Sequence, residues 1–113
     1  MNMVLSACYL FQGLSESQLG RVAAIAREIQ MRKGERLLVE GQEAIEVYVL
    51  KEGAVELMMN VEADFDIPVS MVRTPGGCFG TSALTEPHQY SLSARCTADG
   101  SLLALSLADL QGS

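Results

Sequence analysis

The chain has no tryptophan, one histidine, three cysteines and three prolines among its 113 residues. Each scarcity removes a class of function. Aromatic residues are 5% of the chain, which leaves few faces on which nucleobases could stack. Basic residues are scarce too: eight Lys+Arg stand against fourteen Asp+Glu, giving a formal net charge of −6. Nonspecific nucleic-acid binding needs a cationic face that releases counterions, so no direct nucleic-acid contact is expected from this chain. Cys8, Cys78 and Cys96 are far apart and have no CxxC spacing, and His88 alone cannot complete a zinc set. They are expected to be reduced core residues in a cytoplasmic protein, and no metal site is expected. No HExxH, GxSxG or GKS/T motif occurs, and no nucleophile–base pair or carboxylate dyad can be assembled, so the chain is not expected to be an enzyme. No apolar run approaches the ~20 residues of a membrane span, and "MNMVLSACYLF" lacks the basic start of a signal peptide. No membrane association is expected.

What is present is a globular composition, 49% hydrophobic and 19% charged, sufficient for one domain with a modest core. Ser15 with Gln18 three positions later is a capping box, and Leu14 and Leu19 on either side of the cap form a hydrophobic staple. Leu19, Val22, Ala23 and Ala26 then follow the helical period, predicting a helix over about 15–29 whose stripe is core packing. After that the period changes to two. "ERLLVE", "IEVYVLKE", "AVELMMNVE", "IPVSMVRT", "YSLSARCT" and "SLLALS" read as strands. Val47, Val49 and Ile45 are assigned to one face, and Val55, Leu57 and Met59 are assigned inward. Glycines at 34, 41, 53, 76, 77 and 100 punctuate these runs and are read as turns. Residues 60–68, "NVEADFDIP", are read as an exposed hairpin tip. In "CFGTSALTEPHQ", Thr81 to Leu84 would form one helical turn, opened by Gly80 and stopped by Pro87, with unpaired amides at its start. The sum is a mainly β fold: a jelly-roll or β-roll of about eight short antiparallel strands over about 29–106. A helix precedes it, and another starts at about 107–110. "LADL" followed at once by "QGS" reads as a helix cut short, so the chain is expected to be a piece of a longer protein.

In order, "LFQGLSESQL", "KGERLLVEGQEAIEVYVLKEGAVEL", "GGCFGTSAL" and "SLLALSLADL" resemble the cyclic-nucleotide-binding domain, as found in catabolite-activator-type bacterial transcription factors, kinase regulatory subunits and gated channels. The likeness runs from Leu10 to Leu110. It implies a sensory domain whose cassette at residues 76–91 binds a small effector and passes a population shift to a C-terminal helix and an output domain. It also implies a homodimer through that C-terminal helix, most of which lies beyond this chain. The implied ligand-binding residues are Phe79, Gly80, Thr81, Ser82, Ala83, Tyr90 and Ser91.

The departures from the family pattern are specific. The family's Phe-Gly is followed by a Glu that holds the ribose hydroxyl; here the residue is Thr81. About ten positions after that glycine the family has an Arg that pairs with the cyclic phosphate; here Tyr90 stands there, followed by a fitting Ser91. An alternative alignment through "EP" places His88 in the slot, and His is mostly neutral at pH 7. The Asp common after the first cassette glycine is Gly77. A charge-assisted bond to phosphate is worth roughly 1.5–3 kcal/mol, so losing the Arg should weaken binding about ten- to a hundredfold. The expected effector is therefore a weakly held cyclic nucleotide or another small molecule, with no certain cofactor. The alternative is a pseudo-binding module that keeps the fold for dimerisation or docking. Haem ligation by Cys78 or His88 is a further possibility, and Arg95 is read as a solvated strand residue.

Overall fold

The computed structural model describes residues 2–62 and 65–112. Three short helical pieces lead in: α1 (Asn2–Ser6), a 3-10 turn (Tyr9–Phe11) and α2 (Glu16–Ile25). The capping box at Ser15 forms as the sequence requires. Gln18 N–H donates to the Ser15 hydroxyl at 3.2 Å and Ser15 N–H donates to the Gln18 side chain at 2.9 Å. The helix ends at Ile25, about one turn short of the expected boundary near 29. Ala26 is already extended, and Arg27–Met31 forms strand β1 against the last strand of the sheet. A ladder of β-pairs there outweighs the continuation of the helical period.

The remaining strands are β2 (Arg36–Leu38), β3 (Glu46–Glu62), β4 (Phe65–Val72), β5 (Cys78–Phe79) and β6 (Ser93–Ser106). They form an antiparallel sheet in the order β1-β6-β3-β4, with β2 pairing β6 and β5 pairing β3. Helix α3 (Leu107–Gly112) follows β6 directly. The expectation of about eight short strands is corrected to six among the described residues, because two pairs of segments are continuous. "IEVYVLKE" and "AVELMMNVE" are both β3, and "YSLSARCT" and "SLLALS" are both β6.

The glycines read as turns at 53 and 100 lie inside these two long strands. They sit opposite each other where the β3–β6 register shifts, and they allow the two backbones to touch. A Cβ on Gly100 would lie 2.0 Å from the Glu52 carbonyl oxygen, and one on Gly53 would lie 2.6 Å from that of Ala98. The register of β3 against β4 shifts between Leu57 and Met58, with the extra residue, Val69, on β4. Met58 is buried, and Met59, expected inward, is exposed. Ile45 is likewise exposed, just before β3 begins. On β4 Phe65, Ile67, Val69 and Met71 are exposed, and Val69 is the extra residue at a register shift against β3, so the alternation is interrupted there. Of the expected hairpin tip, Ala63 and Asp64 lie outside the described residues. Pro68 lies within β4, an edge strand that can spare an N–H.

The core has two parts. Leu50, Leu102, Val55, Phe79 and Tyr90 fill the interior of the roll. On the other side of the sheet, Val49, Leu103 and Leu105 pack against Leu5, Cys8, Phe11 and Val22 from the helical segments. Strand residues 101–105 are all buried, which is why "SLLAL" reads as a run rather than an alternation.

Candidate functional site

The cassette begins at β5. Phe79 pairs with Tyr48 and stacks its ring on the Tyr48 ring at 5.3 Å inside the roll. Its neighbour Cys78 packs with the helix-side cluster. Gly80 then reverses the chain with φ of 76°, and a Cβ there would stand 3.3 Å from both the Glu46 carbonyl oxygen and the Tyr90 ring. Only glycine takes this conformation at low cost in so tight a space. The expected helical turn follows as a 3-10 turn, Thr81–Leu84. His88 N–H donates to the Thr85 carbonyl at 2.8 Å, and the His88 ring Nδ1 lies 2.9 Å from the Ala83 carbonyl. The Ser82 hydroxyl is 3.2 Å from that of Ser91 and accepts from the Ser91 N–H at 3.3 Å.

Tyr90 is where the cassette departs most from a phosphate site. Its side chain is 6% exposed and sits within the apolar interior. Its hydroxyl donates to the Glu46 carbonyl at 2.9 Å. Its backbone N–H donates to Gln42, and its carbonyl accepts from Gly41. Burial, the largest influence on it, raises the Tyr90 phenol above its ordinary pKa, so the group stays neutral. Tyr48 is also raised, first by burial and then by the Glu46 carboxylate, to which its hydroxyl donates at 3.1 Å. That carboxylate is further engaged by an ion pair with Arg27.

Six of the seven candidate residues line one cavity of about 130 Å³: Phe79, Gly80, Thr81, Ser82, Tyr90 and Ser91. The seventh, Ala83, has its side chain fully buried in the core and does not line that cavity. The rest of the lining is Leu38, Leu57, Leu92 and Cys78, which the cassette motif alone does not reveal. Leu38 and Leu57 come from distant strands, and only the pairing of β2 with β6 and of β3 with β5 brings them here. None of the lining residues is Lys, Arg or His. The pocket therefore offers hydroxyls and backbone groups on one side and leucines on the other. Arg95 is exposed and paired with Glu56 at 2.8 Å, as a solvated strand residue. Among the described residues no cluster of three or more His, Cys, Asp or Glu could hold a metal ion. No helix among them is long and apolar enough to cross a membrane.

A β-roll flanked by helices, with a small cavity closed by a glycine-opened turn, defines a ligand-binding module of regulatory type. The chain belongs to the cyclic nucleotide-binding domain family, whose family model matches residues 28–112. Its fold is shared with the regulatory domain of Toxoplasma gondii PKA in a co-crystal with cAMP, at TM-score 0.89 and 21% identity over 98% of this chain and 42% of that one. The N-terminal domain of a transcriptional regulator from Streptomyces coelicolor A3(2) is similar at TM-score 0.86 and 28% identity, covering 96% of this chain and 77% of that one. The sensor domain of the transcriptional regulator DNR from Pseudomonas aeruginosa has TM-score 0.82 and 21% identity, covering 97% and 76%. The chain thus spans less than half of the Toxoplasma chain. No curated protein matches it.

Proposed function

We propose that this regulatory domain binds cyclic nucleotides weakly at most, and that its cavity takes a small, uncharged or weakly anionic effector. Tyr90 carries the reading. It occupies the position of the phosphate-pairing arginine, and it is spent on the core and on the Glu46 carbonyl. Pockets that enclose drug-sized ligands run to roughly 300 Å³ and above. A cavity of about 130 Å³ with no cation in its lining supports a smaller guest. Thr81 and Ser82 remain available as short polar contacts. The likeness to the Streptomyces regulator supports a place as the sensory part of a transcription regulator or another signalling protein. The chain itself would not touch nucleic acid, given its formal charge of −6. The mechanism would be a shift in the population of the cassette, passed on through the segment after β6.

The test is calorimetric titration of the chain with cyclic AMP and cyclic GMP beside the double variant Thr81→Glu/Tyr90→Arg. Wild type should show no heat in the micromolar range, and the folded double variant should gain binding. Micromolar binding by wild type would refute the reading. A folded double variant that gains nothing would place the error in the register of the cassette.

A second reading is that the roll serves for dimerisation or docking and holds no nucleotide at all. The exposed apolar residues Phe65, Ile67, Val69 and Met71 on β4 favour it, since clustered exposed apolar side chains mark interaction surfaces. Sedimentation equilibrium separates the two: a concentration-dependent mass that Ile67→Lys abolishes supports docking, and a monomer at all concentrations removes the self-association form of it.

A further inference from the structure

Two cysteines seventy positions apart in sequence meet at the helix side of the cassette. Cys8 lies between α1 and the 3-10 turn and is fully buried. Cys78 is the outward residue of β5, partly exposed, and packs on the cluster that contains Cys8. The two segments touch along their backbones as well. A Cβ on Gly76 would stand 2.6 Å from the Ala7 Cβ and 3.1 Å from the Ala7 carbonyl carbon. Only small residues allow that approach. The third cysteine is of a different kind: Cys96 is enclosed in the roll interior and donates to the Ala98 carbonyl at 3.1 Å.

We propose that Cys8 and Cys78 form a dithiol site that a low-molecular-weight disulfide oxidises to an intramolecular disulfide, fastening the N-terminal helical segment to β5 at the start of the cassette. The chemistry divides between the two sulfurs by their exposure. Cys78, the sulfur with access to solvent, attacks one sulfur of the small disulfide. An S–S bond forms between Cys78 and that half, and the other half leaves as a thiolate that takes up the Cys78 proton. Cys8 then attacks the Cys78 sulfur, the mixed disulfide breaks, and the second half leaves with the Cys8 proton. Two protein thiols are oxidised by two electrons, and one small disulfide is reduced to two thiols. A thiolate is the attacking species, so the Cys78 proton must leave as its sulfur attacks, and the adjoining Cys8 sulfur can carry it to the departing thiolate. Each thiol perturbs the other: hydrogen bonding from Cys78 is the largest influence on Cys8 and lowers it to about 7, while the same contact raises Cys78. Cys8 is therefore the first of the pair to lose its proton and acts as the base for Cys78, the partly exposed sulfur that meets the small disulfide. The Tyr9 phenol is also raised above its ordinary pKa, chiefly by the charge of the Cys78 sulfur.

The experiment is incubation of the full chain with oxidised glutathione, followed by intact mass and a non-reducing peptide map. The expected product has lost two hydrogens, retains no glutathione and yields one cross-linked peptide joining Cys8 to Cys78, reversed by dithiothreitol. Its Tm should lie several degrees above that of the reduced chain, since the bond closes a long loop of the unfolded chain. Cys8→Ser should stop the reaction at a glutathione adduct on Cys78, and Cys78→Ser should leave the enclosed Cys8 unmodified. Stable glutathionylation of wild-type Cys78 without a cross-link, or a cross-link to Cys96, would overturn the proposal. The wild-type map decides even if a serine variant folds poorly.

Discussion

Replacing Tyr90 tests the proposal that a core residue stands where the family has its phosphate-pairing arginine. Tyr90→Phe removes one hydrogen bond, the 2.9 Å contact to the Glu46 carbonyl, and keeps the buried ring. A neutral hydrogen bond contributes about 1 kcal/mol net, so the variant should lose about that much. For a domain of this size that is a fall in Tm of roughly 4 °C. Tyr90→Arg asks for more. It also removes the packing of a ring that is 6% exposed, in a cluster with Leu38, Phe79 and Leu102. Truncating a buried aromatic costs about 3–5 kcal/mol, and the arginine stem restores part of it. The guanidinium must then reach the cavity, where no carboxylate lines the wall. A net loss of about 3 kcal/mol is expected, a large share of the ~5–15 kcal/mol that holds a domain together. Cyclic AMP should return part of it: a ligand at a hundred times its Kd stabilises by about 2.7 kcal/mol. The assay is urea denaturation of both variants and wild type, with and without saturating cyclic AMP. If Tyr90→Arg is as stable as wild type without ligand, Tyr90 is not a core residue and the argument fails.

Two glycines make opposite predictions under the same substitution. Gly100→Ala puts a methyl group 2.0 Å from the Glu52 carbonyl oxygen, backbone against backbone, and should cost about 3 kcal/mol or more by denaturation. Gly20→Ala, in the exposed middle of α2 with nothing within 4 Å, should stabilise by up to about 1 kcal/mol. Ser15→Ala removes the acceptor for the Gln18 N–H and should cost about 1 kcal/mol, which thermal unfolding by circular dichroism can read.

Local chemistry was legible in the sequence, and the elements that depend on distant partners were not. Ser15, Gln18, Leu14 and Leu19 specify the start of α2 because capping is decided within one turn. The end of α2 depends on β6, which lies more than seventy residues away. Gly53 and Gly100 were read as turns because glycine is the residue of turns. Their actual reason is each other, across a register shift between two strands. A similar shift puts an extra residue, Val69, into β4 opposite Leu57 and Met58, and no local pattern announces it. In the cassette, spacing placed Tyr90 at the arginine position. It carried no sign that the ring turns into the core or that Ala83 does too. The meeting of Cys8 with Cys78 has no local signature at all.

The two departures in the cassette make sense as one change. An arginine at position 90 would need an anion, because a charge in an apolar enclosure is costly unless paired. Such a cassette is best ordered when its phosphate is present, and that dependence is what makes a ligand informative. Tyr90 supplies the order without a ligand through the Glu46 carbonyl and the Tyr48–Phe79 side of the core. The Ser82–Ser91 contact and the His88–Ala83 contact hold the turn from the other end. A ligand shifts an equilibrium only by its difference in affinity for the two states. On the proposed reading, a weak guest in a cassette already held by its own side chains has little left to bias. A signal through this roll would then have to act on what holds the cassette from outside, and the contact of β5 with the N-terminal segment, where Cys78 meets Cys8, is the place where such a hold exists.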